Sequence, residues 1–261
     1  MVSTVAANYA KAGKKTIVII NTEYPVEAEA LQNDENVSAI VFNAFGGQYD
    51  ATALVNVLYG EAAPTGRLVS TWYKSKDALP AIDEYSVPNN AMALIGPDLV
   101  QGMTLDDIDD NVTVDMTETD MEQKHLTYMY ADDEDVTYPF GYGLSYSSFD
   151  YSGMSAKANE DGSVDVSVTV KNTGNCTGTE TLQLYIHDIA ASVVRPVREL
   201  KDFKKVTLRP GEEKKVVFTI TEQQLLFLTE NGIYESEAGE FEIFIGKDSS
   251  TDNKASFVLK K

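Results

Sequence analysis

Cysteine, histidine, tryptophan and positive charge are all scarce in this chain of 261 residues. Cys176 is the only cysteine, so there is no internal disulfide and no thiolate metal cluster. The two histidines, His125 and His187, fall in different predicted domains and do not make a metal-binding pair. Lys and Arg number 21 against 41 Asp and Glu, a net charge of −20. That balance opposes binding to nucleic acid, which needs cations to displace counterions from phosphate, and opposes anionic membrane surfaces as well. No apolar run approaches the roughly 20 residues that span a bilayer. Met1–Asn8 lacks a basic stretch followed by a long apolar one, so no signal peptide is read and a cytoplasmic location is expected over a secreted one. Gly-x-Gly-x-x-Gly, Walker-type and Gly-x-Ser-x-Gly patterns are all missing, which removes the phosphate-cradling loops and the serine-hydrolase elbow. No cofactor is expected.

What is present is ordinary for a globular protein: 43% apolar and 24% charged residues, enough for one large domain or two medium ones. The character changes near residue 145. Before it, a helical pattern runs to about Lys11, then Thr16–Ile20 forms a continuous β-branched run. Such a run predicts a parallel strand buried on both faces. Asn21 or Thr22 is placed to cap a short helix over Pro25–Leu31. Val37–Phe42 reads as a second buried strand, and Gln48–Tyr59 as a helix with Ala51, Leu54, Val55 and Leu58 on one face. Strand and helix in alternation predict right-handed parallel crossovers, hence α/β. Two or three strands are fewer than a doubly wound sheet needs, so the domain looks cut short on its N-terminal side.

Residues 74–135 are poorly patterned, and 106–135 hold about a dozen carboxylates against one Lys. From Phe149 onward, period-2 alternation recurs between turn signals such as Asp161-Gly162 and Pro210-Gly211. Candidate strands are Tyr151–Lys157, Ser163–Lys171, Gly178–His187, Val197–Val206, Lys214–Ile220, Gly239–Gly246 and one near Ala255–Leu259. Seven short strands in this length match an immunoglobulin-like sandwich.

Sites are harder to read. Gly46-Gly47 precedes a helix, where backbone N–H groups can hold an oxygen-bearing ligand, but close packing at a strand-to-helix turn is the favoured reading of the pair. Asp106-Asp107-Ile108-Asp109-Asp110-Asn111 offers oxygens to a cation but lacks the glycine and distal glutamate of an EF-hand. Trp72-Tyr73 and the tyrosines at 128–142 are the available aromatic platforms for a sugar, and core packing accounts for them too. Acidic residues are so abundant that spacing alone identifies no retaining-glycosidase pair, which needs carboxyl groups about 5–5.5 Å apart.

Three segments together resemble the C-terminal half of family 3 glycoside hydrolases, the β-glucosidases and β-xylosidases. The first is Gly47-Gln48 followed by Val57-Leu58-Tyr59-Gly60-Glu61-Ala62-Ala63-Pro64-Thr65-Gly66-Arg67-Leu68. The second is Tyr138-Pro139-Phe140-Gly141-Tyr142-Gly143-Leu144-Ser145-Tyr146-Ser147-Ser148-Phe149. The third runs from Val194-Arg195-Pro196 through Lys204-Lys205-Val206, with Leu208-Arg209-Pro210-Gly211-Glu212 after it. The family's Pro before Gly47 is Gly46 here, Asp50 stands where a Gly is usual, and the Tyr-Arg often found before the second segment is absent.

The resemblance implies a partial α/β sandwich domain over 1–75, an acidic connection over 76–148, and a fibronectin type III-like β-sandwich over 149–261. It implies the C-terminal portion of a β-glycosidase, shaping a pocket wall and clamping domains. The family's nucleophilic Asp lies on a (β/α)8 barrel and its acid/base Glu upstream of this region, so no catalytic carboxylate carries over. Gly47, Gln48, Phe140 and Tyr142 are the substrate-proximal or interdomain positions implied. Gly141 and Gly143 would allow a tight turn, with Tyr142 and Tyr146 packing at the junction. The expected partners are a (β/α)8 barrel domain or subunit, a β-linked oligosaccharide or glycoside and, because a half-sheet has a raw edge, a second copy of the chain. The rival reading is a stand-alone carbohydrate-binding or structural module. An exposed apolar patch on the α/β half favours the first reading, and a wholly polar surface there the second.

Overall fold

The computed structural model describes residues 1–79, 126–159, 162–229 and 231–260. Helix α1 (Val2–Lys11) leads into β1 (Thr16–Ile20), which pairs in parallel with β2 (Val37–Phe42) from Ile17 opposite Ala39 to Ile20 opposite Phe42. Between them lies only a single helical turn, α2 (Glu29–Gln32). The helix expected from Pro25 does not form there. Thr22 accepts the N–H of Tyr24 through its hydroxyl, and Asn21 donates its side-chain amide to the Asn43 carbonyl across the sheet. Both candidate caps are thus engaged in turn and sheet contacts. After β2, a 3-10 turn at Gly47–Tyr49 runs into α3 (Asp50–Leu58).

The strand expectation needs one correction. Neither β1 nor β2 holds a fully buried residue, and Ile17 and Ile19 are 47% and 42% exposed. One face of β1 is open because no described element lies over it. Helix α3 likewise buries none of its residues. Among the described residues, the buried apolar side chains that come before residue 164 are Ala6, Ala28 and Trp72.

Strand β3 (Trp72–Tyr73) pairs antiparallel with β4 (Val136–Tyr138), Trp72 opposite Tyr138. Ahead of β4 come a turn of helix, α4 (Thr127–Tyr130), and a 3-10 turn at Asp133–Asp135. His125, Asn111 and the Asp106–Asn111 cluster lie outside the described residues.

The rest is a β-sandwich. One sheet has the order β5 (Phe149–Ala158), β6 (Val164–Asn172), β9 (Glu213–Ile220). The other has the order β13 (Lys254–Leu259), β12 (Gly239–Gly246), β7 (Gly178–Asp188), β8 (Glu199–Leu208). All neighbours within the two sheets are antiparallel. Inward residues alternate with outward ones, as period 2 requires. Val164, Val166, Val168 and Val170 of β6 face Leu182, Leu184 and Ile186 of β7 in one continuous core, with Phe218, Ile243 and Ile245. Each expected strand is present, with bounds within two residues. The edges β8 and β9 are guarded by lysines: Lys204 lies over the Phe218 ring and donates to the Val217 carbonyl. A turn of helix, α5 (Glu222–Leu225), and the small β10 (Phe227–Leu228)/β11 (Tyr234–Glu235) ladder close one end.

Candidate functional site

The carboxyl ends of parallel strands are where open α/β sheets present ligand-binding loops. Here those ends are Ile20 and Phe42, tied by the Asn43 N–H to the Ile20 carbonyl at 2.8 Å. Asn43 donates its side-chain amide to the Asp50 carboxylate at 3.1 Å, and Asn21 reaches the Asn43 carbonyl at 2.9 Å. The turn that follows, including Gly47 and Gln48, is exposed. Asp50, the departure from the family pattern, thus holds the root of this turn through Asn43.

Phe140 and Tyr142 lie elsewhere, in a joint between the α/β half and the sandwich. Tyr142 stacks on Tyr138 with ring centres 5.0 Å apart. Tyr138 meets Trp72 edge-on at 6.0 Å, and Trp72 meets Phe42 edge-on at 5.2 Å. Phe140 stacks instead on Tyr128 at 4.3 Å, and Tyr128 meets Tyr185 of β7 edge-on at 5.9 Å. Trp72 is only 2% exposed. Of the aromatic platforms, Trp72, Tyr138 and Tyr142 pack against one another and Tyr128 packs on Phe140, which is how aromatic rings contribute most to a buried contact, whereas Tyr130 is exposed. No hydrogen bond or ring contact among the described residues joins Phe140 or Tyr142 to Gly47 or Gln48.

The second family-like segment threads this joint, and its glycines have steric reasons. Gly141 has φ +82°, and a Cβ there would come within 2.1 Å of the Gln183 side-chain oxygen. A Cβ on Gly143 would come within 2.6 Å of the Gly66 carbonyl. Backbone bonds tie the same two strands of chain: Gly141 N–H to Leu68 C=O, and Leu68 N–H to Tyr142 C=O, each at 2.9 Å. Tyr146 donates its hydroxyl to the Val57 carbonyl in α3. Gln183 is buried and fully engaged, donating to the Gly141 and Lys247 carbonyls and accepting from the Tyr185 hydroxyl at 2.7 Å. Ser147 ends the segment by donating to buried Asn172 at 2.6 Å.

One contact was not singled out from sequence. Arg67 and Glu180 form an ion pair at 3.3 Å with side chains 8% and 5% exposed. Tyr151 donates to the same carboxylate at 2.9 Å. Burial, reinforced by the Glu180 charge, pushes the Tyr151 hydroxyl well above the ordinary tyrosine range. Burial also raises Tyr185, Tyr138 and Tyr142. Arg67 stands in a motif quoted above, and that motif was the available signal. Its partner lies 113 positions away, and no local pattern points there.

The arrangement clamps domains, and it commits its acids to local partners. Glu180 is held by Arg67 and Tyr151, and buried Asp248 accepts from the Ser250 N–H and hydroxyl. Among the described residues no three His, Cys, Asp or Glu side chains converge to hold a metal.

Comparison with known proteins agrees with this division. Residues 2–146 match the glycosyl hydrolase family 3 C-terminal domain, and residues 180–249 match the fibronectin type III-like domain. A periplasmic beta-glucosidase of Salmonella typhimurium is 31% identical over 95% of this chain and 29% of its own length. A beta-glucosidase of Bacteroides ovatus is 35% identical over 92% and 30%. Beta-glucosidase 3B of Thermotoga neapolitana, solved in complex with glucose, superposes with a TM-score of 0.75 at 27% identity, over 99% of this chain and 33% of that one. The chain thus spans about 30% of the length of the curated relatives it matches. It belongs to glycosyl hydrolase family 3 and corresponds to the C-terminal part of its members, an α/β portion followed by a fibronectin type III-like sandwich.

Proposed function

We propose that this chain is the non-catalytic C-terminal portion of a β-glycosidase acting on β-linked glucosides or xylosides. In this reading the turn with Gly47 and Gln48 forms part of a pocket wall, and Phe140 and Tyr142 hold the wall against the sandwich. A (β/α)8 barrel supplies the nucleophile and borders the acid/base carboxylate. The uncovered apolar surface of the α/β half carries the proposal: Ile17 and Ile19 on β1, with Phe45, Tyr49, Val55 and Tyr59 around α3, are all exposed. Several large apolar side chains exposed on one half of the chain support a contact that another element covers. The stand-alone sugar-binding reading has less support, because Trp72 is buried and Tyr138 and Tyr142 stack on each other. When the barrel-bearing portion is missing, a second copy is the partner proposed for the open β1–β2 edge. Domain limits of 1–75, 76–148 and 149–261 fit this division of labour.

The test is hydrolysis of aryl β-glucoside and aryl β-xyloside by the chain alone, and by the chain mixed with the barrel-bearing portion of a relative. No turnover alone and turnover on mixing is the expected result. Turnover by the chain alone, lost on changing one of its own Asp or Glu residues, would overturn the proposal.

A further inference from the structure

Gly46 and Asp50, two places where the turn after β2 departs from the family pattern, compete for one patch of space. Gly46 has φ −89° and ψ 3°, the bridge-region backbone that closes type I turns and admits side chains. What a side chain there would meet is Asp50: an added Cβ would lie 2.5 Å from Oδ1 and 3.2 Å from both Cβ and Cγ. Gly47 differs. Its φ of +72° calls for glycine, while a Cβ there would meet nothing within 4 Å. The adjacent glycines answer separate demands, one of space and one of conformation.

Asp50 cannot yield that space without loss. Its Oδ2 accepts the Asn43 side-chain amide at 3.1 Å, and its N–H donates to the Gly47 carbonyl. Asn43 is itself fixed to the end of β1, through its N–H to the Ile20 carbonyl at 2.8 Å and through the Asn21 amide on its own carbonyl at 2.9 Å. A chain of contacts thus runs from β1 through Asn43 and Asp50 to Gly47. Swinging the Asp50 carboxylate aside to admit a side chain at 46 breaks the middle link and strands the half-buried Asn43 donor. The family pattern stiffens this turn from within, by the fixed φ of a proline at 46. Here the stiffness comes from outside the turn.

We propose that Asp50 is a positioning residue for Gly47 and Gln48, and that it can act only while residue 46 is glycine. That the positioned turn borders a substrate pocket rests on the glycosidase reading; the brace itself does not.

The test compares Gly46→Ala, Asp50→Gly, their double variant and Asp50→Asn in the full chain. Hydrogen exchange of the backbone amides of residues 43 and 50, read by NMR, reports the two ends of the brace. Gly46→Ala and Asp50→Gly should each speed exchange by about threefold to tenfold, the worth of one ordinary hydrogen bond. Asp50→Asn keeps an acceptor oxygen and should retain most of the protection. In the Asp50→Gly background the same Gly46→Ala change should slow exchange or leave it unaltered, because the clash is gone and alanine restricts the backbone. If Gly46→Ala alone costs the native Trp72 fluorescence, the double variant should restore it. After mixing with the barrel-bearing portion of a relative, each of Gly46→Ala and Asp50→Gly should raise KM for aryl β-glucoside by about threefold or more with kcat within about twofold, and the double variant should bring KM back toward that of the unaltered chain. Four outcomes each overturn the proposal: an equal effect of Gly46→Ala in both backgrounds, Asp50→Asn as damaging as Asp50→Gly, a double variant that fails to regain lost Trp72 fluorescence, or an unchanged KM in a working mixture. Reversal of the exchange effect with no turnover from any mixture leaves the brace standing and the glycosidase reading refuted.

Discussion

Replacing Arg67 by Met tests whether the two halves are held by charge as well as by rings. The ion pair to Glu180 has side chains 8% and 5% exposed. A solvent-exposed pair contributes about 0–1 kcal/mol, whereas removing one member of a buried pair costs about 3–5 kcal/mol because the other charge is left uncompensated. Glu180 would keep the Tyr151 hydroxyl at 2.9 Å, which places the expected loss at the lower end, about 3 kcal/mol. Adding Glu180→Gln removes the stranded charge and keeps an acceptor for Tyr151. The double variant should therefore recover most of the loss.

The assay is urea unfolding followed by two probes. Trp72 is the only tryptophan and sits in the joint, so its fluorescence reports that contact. Far-UV dichroism reports the strands of the sandwich. With a slope of about 1–3 kcal/mol per M in urea, a 3 kcal/mol loss lowers the Trp72 midpoint by about 1 M or more. The dichroism midpoint should move less, because the sandwich core does not include Arg67. A shift of both probes by under about 0.3 M in Arg67→Met would refute the reasoning, and so would a double variant no better than the single one.

Other consequences follow from the same geometry. Gly141→Ala should cost at least about 2 kcal/mol, because it adds a clash with immobile Gln183 to the strain of a positive φ. Gly211→Ala has a similar φ of +77° but open space, and should cost only the strain, about 1–2 kcal/mol; equal melting shifts for the two would remove Gln183 from the account. Phe218→Ala should cost about 3–5 kcal/mol in the sandwich core, and Ile17→Ala under about 1 kcal/mol on its half-open strand, both read by chemical denaturation. A larger, concentration-dependent loss in Ile17→Ala would show that a second copy covers β1. Tyr151 stays protonated in the folded chain at pH values where an unfolded tyrosine, with a pKa near 10, ionises. Its contribution is complete below about pH 10 and falls as pH rises beyond it, by about 1.4 kcal/mol per pH unit. Tyr151→Phe should flatten that alkaline slope in urea titrations, and an unchanged slope would contradict the assignment.

What the sequence disclosed and what it withheld divide along physical lines. Gly239–Gly246 was read with the bounds it has, because a period of 2 between turn residues is a local signal. The β-branched run Thr16–Ile20 gave a strand in the right place but the wrong burial. Apolar composition records what a segment buries in its complete surroundings, and here β1 lacks a covering layer. Pro25 and Thr22 promised a longer helix, yet the competing Thr22 and Asn21 hydrogen bonds held that stretch open. At the candidate site, Gly47 with Gln48 and Phe140 with Tyr142 were legible as motif positions. Their separation into an exposed turn and a packed joint was not, because it depends on β3 meeting β4 and on Arg67 meeting Glu180 across long stretches of chain.

The unequal burial of the two halves has a further consequence. The sandwich owns a continuous core from Val164 to Leu259 and closes its exposed edges with lysines. Among the described residues, the α/β half contributes Ala6, Ala28 and Trp72 to the buried apolar set, and Trp72 owes its burial in part to rings delivered by the segment that enters the sandwich. Stability is therefore local to the second half and borrowed in the first. A wall that must close against another domain is served by this asymmetry: the sandwich fixes Gln183 and Glu180 rigidly, and Gly141 and Arg67 transmit that position to the strands and turn beyond them. The apolar residues left exposed on β1 and α3 are the surfaces that the proposed barrel-bearing portion would cover.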